Sequence, residues 1–212
     1  MNVLIVAGGN VSMPLLEKTV NEKNYYVIGV DGGLDSLIDA DITANAAIGD
    51  FDSASELARD IYMDRQGTIL LNQEKDFTDM HAAVNSALKL KPELITILGG
   101  TGSRIDHMLA NIGLLALCRK QGVEAELIDE TNRVRIVDKS CIFRKEKQFG
   151  TYVSFIPFAE PVKGVCLKGF KYGLDHVTVE KMESIGVSNE IREEEGSISI
   201  DEGYMIAIES KD

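Results

Sequence analysis

The chain has 212 residues, 44% apolar and 26% charged, with a formal net charge of −12. The 4 Pro are few and the 19 Gly are scattered, which excludes collagen-like, mucin-like and disordered classes. The acidic balance argues against a nucleic-acid partner, and the most apolar stretch, Met108 to Cys118, is broken by Asn111 and Gly113 and falls short of the ~20 residues a membrane span needs.

Met1 leads straight into a strand-like run, Val3–Ala7, with no basic segment ahead of it, so no secretory leader is expected. Further short apolar runs follow at Tyr25–Val30, Ala46–Ile48, Thr68–Leu71, Leu94–Leu98 and Ala125–Ile128. None alternates with period two, as expected for strands covered on both faces. Helical patterns lie between them. In Asp79–Leu90, residues Met80, Ala83, Val84, Ala87 and Leu88 make one apolar stripe; Asp106–Lys120 is similar, and Gly122 supplies a stop. This β-α order predicts a doubly wound, mostly parallel sheet with helices on both faces over residues 1–130. After about residue 130 the pattern changes to short β-rich segments: Arg133–Val137, Cys141–Arg144, Thr151–Pro157, Val165–Leu167, His176–Val179, Ser197–Ile200 and Tyr204–Ile208. They predict a C-terminal β-sandwich over residues 131–212. The run Glu193-Glu194-Glu195-Gly196 reads as a solvated turn. Cys118, Cys141 and Cys166 have no metal-type spacing and read as core thiols of a cytoplasmic protein.

The charge is uneven: residues 1–130 carry a net −10 and residues 131–212 only −2. In the first part, carboxylates follow the strands. Asp31-Gly32-Gly33 follows the second, Gly49-Asp50-Phe51-Asp52-Ser53 the third, Lys75-Asp76-Phe77-Thr78-Asp79 the fourth, and Gly99-Gly100-Thr101-Gly102-Ser103-Arg104-Ile105-Asp106-His107 the fifth. In a parallel sheet these ends share one edge, where ligands bind. Asp31, Asp50, Asp52, Asp76, Asp79 and Asp106 are therefore expected to converge. A single Asp after a strand reads as a helix cap. Repetition at several strand ends points instead to a hard divalent cation, Mg²⁺, relieving mutual repulsion. In an extended segment Asp50 and Asp52 would face one way and Phe51 the other. Gly8-Gly9, Gly32-Gly33, Gly99-Gly100 and Gly102 would let backbone N–H groups approach phosphate, with Arg104 and Lys75 as the available cations. Neither G-x-x-x-x-G-K-[ST] nor G-x-G-x-x-G occurs, so a P-loop and a dinucleotide fingerprint are excluded. Together these features point to phosphoryl or pyrophosphoryl transfer.

The series Asp-Gly-Gly, Ile-Gly-Asp-Phe-Asp-Ser, Lys-Asp-Phe-Thr-Asp and Gly-Gly-Thr-Gly-Ser-Arg-Ile-Asp-His, with Asn111 downstream, resembles the thiamine pyrophosphokinase family across residues 31–111. A late Ser188-Asn189-Glu190 resembles that family's substrate-binding signature. The resemblance implies transfer of the diphosphate of ATP to thiamine with Mg²⁺, by a homodimer whose active site is shared between subunits. It implies metal-associated Asp50, Asp52, Asp79 and Asp106, with Asp31 nearby. Lys75, Asp76, Thr78 and Arg104 would handle ATP beside Gly100 and Gly102, and Ser188 and Asn189 would hold thiamine. Asp79 and Asp106 are both candidates for accepting the hydroxyl proton. A pterin alcohol as acceptor, water as acceptor, and a non-catalytic sensor are the competing readings.

Overall fold

The computed structural model describes residues 1–72 and 76–212. The chain divides into two compact units, Met1–Glu130 and Thr131–Asp212.

In the first unit the described elements are β1 (Asn2–Val6), α1 (Met13–Glu22), β2 (Tyr25–Val30), α2 (Gly33–Asp39), β3 (Ala46–Gly49), α3 (Glu56–Tyr62), β4 (Thr68–Leu70), α4 (Asp79–Lys89), β5 (Leu94–Leu98), α5 (Ile105–Lys120) and β6 (Glu124–Ile128). The strands pair in parallel in the order β4-β3-β2-β1-β5-β6. Successive residues of a strand point to opposite faces. Val3, Leu4, Ile5 and Val6 are all fully buried, so helices cover both faces of β1. The expected stripe of α4 is buried at Met80, Ala83, Val84 and Ala87, while Leu88 sits at its half-buried edge. Gly122 ends the run after α5 with φ +77°, its N–H donating to the Arg119 carbonyl at 3.0 Å. Among the described residues no helix is long and apolar enough to cross a membrane.

The order reverses between β1 and β5. Connections from β1 lead outward through β2, β3 and β4, and those from β5 lead the other way to β6. A crevice therefore opens at the carboxyl ends of this pair. Pairing continues past the strands into that crevice. The Ala7 N–H donates to Leu98 O at 2.9 Å, Gly9 N–H to Gly99 O at 3.0 Å and Asn10 N–H to Thr101 O at 3.0 Å. The two glycine runs are thus laced side by side. A Cβ on Gly9 would lie 2.3 Å from the carbonyl oxygens of both Gly99 and Thr101, so no side chain fits there.

The second unit contains β7 (Asn132–Val137), β8 (Cys141–Arg144), β9 (Tyr152–Pro157), β10 (Val162–Lys168), β11 (Leu174–Val179), β12 (Glu195–Ser199) and β13 (Met205–Ser210). Antiparallel sheets β7-β13-β9 and β11-β10-β12-β8 enclose one apolar core, so the sandwich expected from the β-rich pattern is found. At its centre Phe143, Phe155 and Phe170 pack edge to face, with ring centroids 5.5 to 6.2 Å apart. One expectation is corrected. Glu195 and Gly196 are not part of a turn but open β12, where Glu195 pairs with Arg144 of β8. Arg144, the partner of Glu195, lies 51 residues away, beyond the reach of local composition. The thiols also differ from one another: Cys118 is buried and Cys141 and Cys166 are half-buried. Burial pushes the Cys118 thiol up to about 12, so it is inert at neutral pH.

Phe155→Ala should cost ~3–5 kcal/mol, the usual loss for a buried aromatic whose site cannot collapse. Urea unfolding followed by near-ultraviolet circular dichroism measures it.

Candidate active site

The crevice between β1 and β5 is a cleft of about 400 Å³, lined by the Gly8-Gly9 and Gly99–Arg104 loops, Asp31, Ser53, Asp79 and Asn111 among others. That volume suits a small-molecule ligand. The Asn111 amide, buried in α5, donates to the Gly100 carbonyl at 2.8 Å and holds the second glycine loop in place. Of the expected residues, Asp31, Thr78, Asp79, Gly100, Gly102 and Arg104 line this cleft. His107 lines it from the first turn of α5.

Asp31 is the electrostatic centre of the rim. Its pKa is raised from 3.8 to about 6. Burial is the main cause, followed by the charge of Asp79; those of Asp50 and Asp52 add to it, while the Phe51 N–H opposes. Asp50, Asp52 and Asp79 are thus near enough to act on Asp31, whereas Asp76 and Asp106, expected at the same place, are not among the charges that do. Asp31 sits in the left-handed region at φ +45°, and its Oδ1 accepts from the Phe51 N–H at 3.2 Å. Room for it exists because residue 49 is glycine. A Cβ there would lie 1.7 Å from Asp31 Oδ1.

The Asp50–Asp52 segment is not extended, which corrects the expected geometry. Phe51 adopts φ +62° and buries its ring, and the Asp52 N–H folds back onto Asp50 Oδ1 at 3.0 Å. Phe51 is buried while Asp50 is half-buried and Asp52 exposed, a separation made by a tight turn rather than by strand alternation. This turn is held by Arg59 of α3, whose guanidinium donates to Phe51 O at 2.8 Å and Asp52 O at 2.9 Å. Sequence reasoning missed Arg59. Its only signal is a basic residue seven positions past a carboxylate loop.

Of the other expected residues, Asp50, Asp52, Asp76 and Asp106 are not among those that line the cleft. Asp106 is exposed and accepts a bidentate pair from Arg104 at 2.7 and 3.2 Å, which holds its carboxyl down at about 2. Thr78 lines the cleft but its hydroxyl also caps α4, accepting from the His81 N–H at 3.2 Å. Asp76 is exposed beside α4 and does not line the cleft. Lys75 lies outside the described residues.

In the second unit Ser188 and Asn189 have different environments. Ser188 is exposed in the left-handed region at φ +55°. Asn189 is buried, and both ends of its amide are engaged. Its Nδ2 donates to Tyr172 O at 2.7 Å, and its Oδ1 accepts from the Tyr172 N–H at 2.9 Å and the Glu190 N–H at 3.0 Å. Asn189 thus clamps the Tyr172 backbone at a bend ahead of β11; the Tyr172 ring is exposed and carries Lys171 Nζ 5.3 Å from its centroid.

The donor set on the rim is oxygen only, which fits a hard divalent cation. Among the described residues no group of three such side chains closes on one point. Such a cation would therefore be completed by water and by ligand phosphates, as is usual for Mg²⁺.

The family described as "Thiamin pyrophosphokinase, catalytic domain" matches residues 17–127, and "Thiamin pyrophosphokinase, vitamin B1 binding domain" matches residues 139–205. The chain is 36% identical over 210 residues to the thiamine pyrophosphokinase of Bacillus subtilis, covering 98% of each. Among solved structures, it is similar to the Bacillus subtilis thiamine pyrophosphokinase with a TM-score of 0.89 at 33% identity, over all of both chains. A thiamin pyrophosphokinase family protein from Enterococcus faecalis gives 0.84 at 34% identity, again over all of both. The Candida albicans thiamin pyrophosphokinase shares the fold, with a TM-score of 0.81 at 17% identity over 99% of this chain and 88% of that one.

The Asp31 shift carries a stability sign. The folded chain holds a proton on Asp31 between pH 3.8 and about 6 that the unfolded chain has lost, so this group's contribution falls as pH rises through that window. Asp31→Asn removes the slope. Its stability relative to wild type should grow by on the order of 1 kcal/mol from pH 4 to pH 7 after allowance for solvent screening. Urea midpoints in cation-free buffer at both pH values measure this.

Proposed function

The chain belongs to the thiamin pyrophosphokinase family, and on that premise we propose that it transfers the diphosphate of ATP to the hydroxyl of thiamine, giving thiamine diphosphate and AMP. The observation that carries this reading is the carboxylate rim around a glycine-walled cleft, where Asp31 is pushed up to about 6 by burial and its neighbours. A site with surplus negative charge beside exposed backbone N–H groups suits a phosphate chain accompanied by cations.

In this reading Mg²⁺ would be drawn to the rim of Asp31, Asp50, Asp52 and Asp79, with no more than two of these carboxylates on one ion and water and ligand phosphates completing its shell. The ion would supply charge neutralisation at the phosphate oxygens. The Gly99–Gly102 loop cradles phosphate through its backbone, and Asn111 keeps that loop from sagging. Arg104 turns from Asp106 to phosphate. Both side chains are about two-thirds exposed, so their ion pair is weak and readily exchanged. The exchange frees the Asp106 carboxylate to join the rim. Asp76 and Lys75 complete the nucleotide contacts. The thiamine hydroxyl oxygen attacks the β-phosphorus in line while AMP leaves, and Asp79, which lines the cleft, accepts the hydroxyl proton.

Thiamine is a cation, and the acidic rim favours it. With no Trp in the chain, an aromatic contact falls to Tyr or Phe. Tyr172, exposed and clamped through its backbone by Asn189, is the residue we assign. Ser188 contacts thiamine directly, and Asn189 acts by positioning Tyr172. The protein works as a cytoplasmic homodimer whose active site is shared between subunits.

The deciding experiment is ³¹P NMR of the purified chain with ATP and Mg²⁺, with and without thiamine. AMP and thiamine diphosphate should appear together and only with thiamine. Equal ATP loss without it would make water the acceptor, and no turnover until a pterin alcohol is supplied would move the acceptor assignment. Asp52→Asn should leave the fold intact and cut kcat by at least ~10²-fold. Wild-type turnover would remove Asp52 from the site. Ser188→Ala should raise KM for thiamine more than KM for ATP, whereas Asn189→Ala should lower thermal stability as well, because it strips the Tyr172 clamp.

A further inference from the structure

The second unit contains a buried charge that the activity proposed above does not use. Along β13, Met205, Ala207 and Glu209 face the sandwich interior, opposite Val137, Arg135 and Arg133 of β7. The first pair belongs to the apolar core. Toward the far end of the strands the same face becomes ionic. Glu209 is only 3% exposed, and a carboxylate so placed requires partners. Its Oε2 accepts from Arg135 Nη2 at 2.6 Å with Arg133 Nη1 at 3.9 Å, and its Oε1 accepts from the Phe149 N–H at 3.0 Å. One arginine would balance the charge, yet two are present.

Both guanidinium groups are also held over rings: Arg133 lies 5.2 Å from the Phe149 centroid and Arg135 5.0 Å from that of Phe143. Their position is therefore fixed before any ligand arrives. They line an open cleft of about 390 Å³ whose wall also carries Arg144 and Lys147. Among the residues that line the cleft four are cations and one, Glu209, is a carboxylate; Glu195, outside the lining, pairs with Arg144 at 3.0 Å. In a chain of net charge −12 this is a local surplus of positive charge with preset geometry.

We propose that this end of the sandwich is a binding site for a small anion carrying a phosphate or diphosphate group. Guanidinium forks match phosphate oxygens in pairs, and Glu209 orients the forks while cancelling only part of their charge. The cleft has room for a diphosphate or a compact ester of one. An arriving anion competes with Glu195 for Arg144, an exposed ion pair of low cost to break.

The test uses the full chain, labelled with ¹⁵N at its arginine side chains and free of divalent cations. Inorganic diphosphate is titrated while the Arg133 and Arg135 Nε–Hε signals are followed, assigned with Arg133→Lys and Arg135→Lys. These signals report on this cleft alone, whatever binds in the first unit. Saturable shifts at submillimolar diphosphate are expected, weakened about tenfold in Arg144→Gln/Lys147→Gln, which removes two exposed charges and leaves Glu209 and the core untouched. Phosphate and ADP titrations separate the sources. Shifts by ADP as strong as by diphosphate assign an ester, and shifts by the inorganic anions alone assign the free ion; either upholds the site. Signals that do not move with any of the three, or that move equally in the double variant, overturn it. If the double variant fails to fold, Lys147→Gln alone must show a weaker affinity than wild type.

Discussion

In a parallel sheet, where the strand order reverses at one pair, the loops that leave the carboxyl ends of that pair lead away to opposite sides and leave a crevice between them. Here the pair is β1 and β5. The chain could have closed the gap with side chains. It keeps it open with glycine on both sides, laced by three backbone hydrogen bonds past the strand ends. Those bonds consume the polar groups nearest the sheet and leave a narrow floor with no side chains above it. Asp31 at the end of β2 and Asp79 at the start of α4 line this cleft, and the charges of Asp50 and Asp52 after β3 act on Asp31. Cleft, charge and access all follow from the one reversal in strand order.

The fold of the first unit was legible because buried parallel strands are continuous apolar runs, and its strands coincide with such runs to within a few residues; β4, at the sheet edge, is the exception to burial, with Ile69 and Leu70 exposed. The convergence at the rim was legible for the same reason: once the strands are parallel, residues that follow them share an edge. What escaped reading depends on single torsions and on individual donors. Phe51 at φ +62° turns a segment that alternation treats as extended. Arg59 clamps that turn from a helix whose approach angle no local pattern encodes. Asp106 has the spacing of a rim carboxylate, yet an arginine two residues before it reaches it first. Asn189 has the composition of a ligand contact and spends its amide on the backbone of Tyr172. Motif matching recovers which residues matter at such positions, but not whether a side chain touches a ligand or holds another that does.

The two units handle buried negative charge in opposite ways. Asp31 is surrounded by further carboxylates and retains its proton to about pH 6. Glu209 is more deeply buried and is met by two arginines and a backbone N–H. In the first arrangement Asp31 stands beside further carboxylates; in the second Glu209 is met by cations on a wall that also carries Arg144 and Lys147. The uneven charge along the sequence, −10 before residue 131 and −2 after it, is the coarse trace of this division.

The contact between residue 49 and Asp31 has a consequence for how this sequence can change over generations. The space a side chain at position 49 would occupy is already filled by the Asp31 carboxylate. No single substitution at 49 keeps that carboxylate in place. Alanine there would displace the Asp31 carboxylate from its present position at the centre of the rim and strain the backbone at 49, where φ is +152°. The two positions are thus inherited as one character. Drift at either is closed until selection on the rim itself is relaxed, so a paired change at 31 and 49 would mark a descendant that has given up the chemistry while keeping the fold.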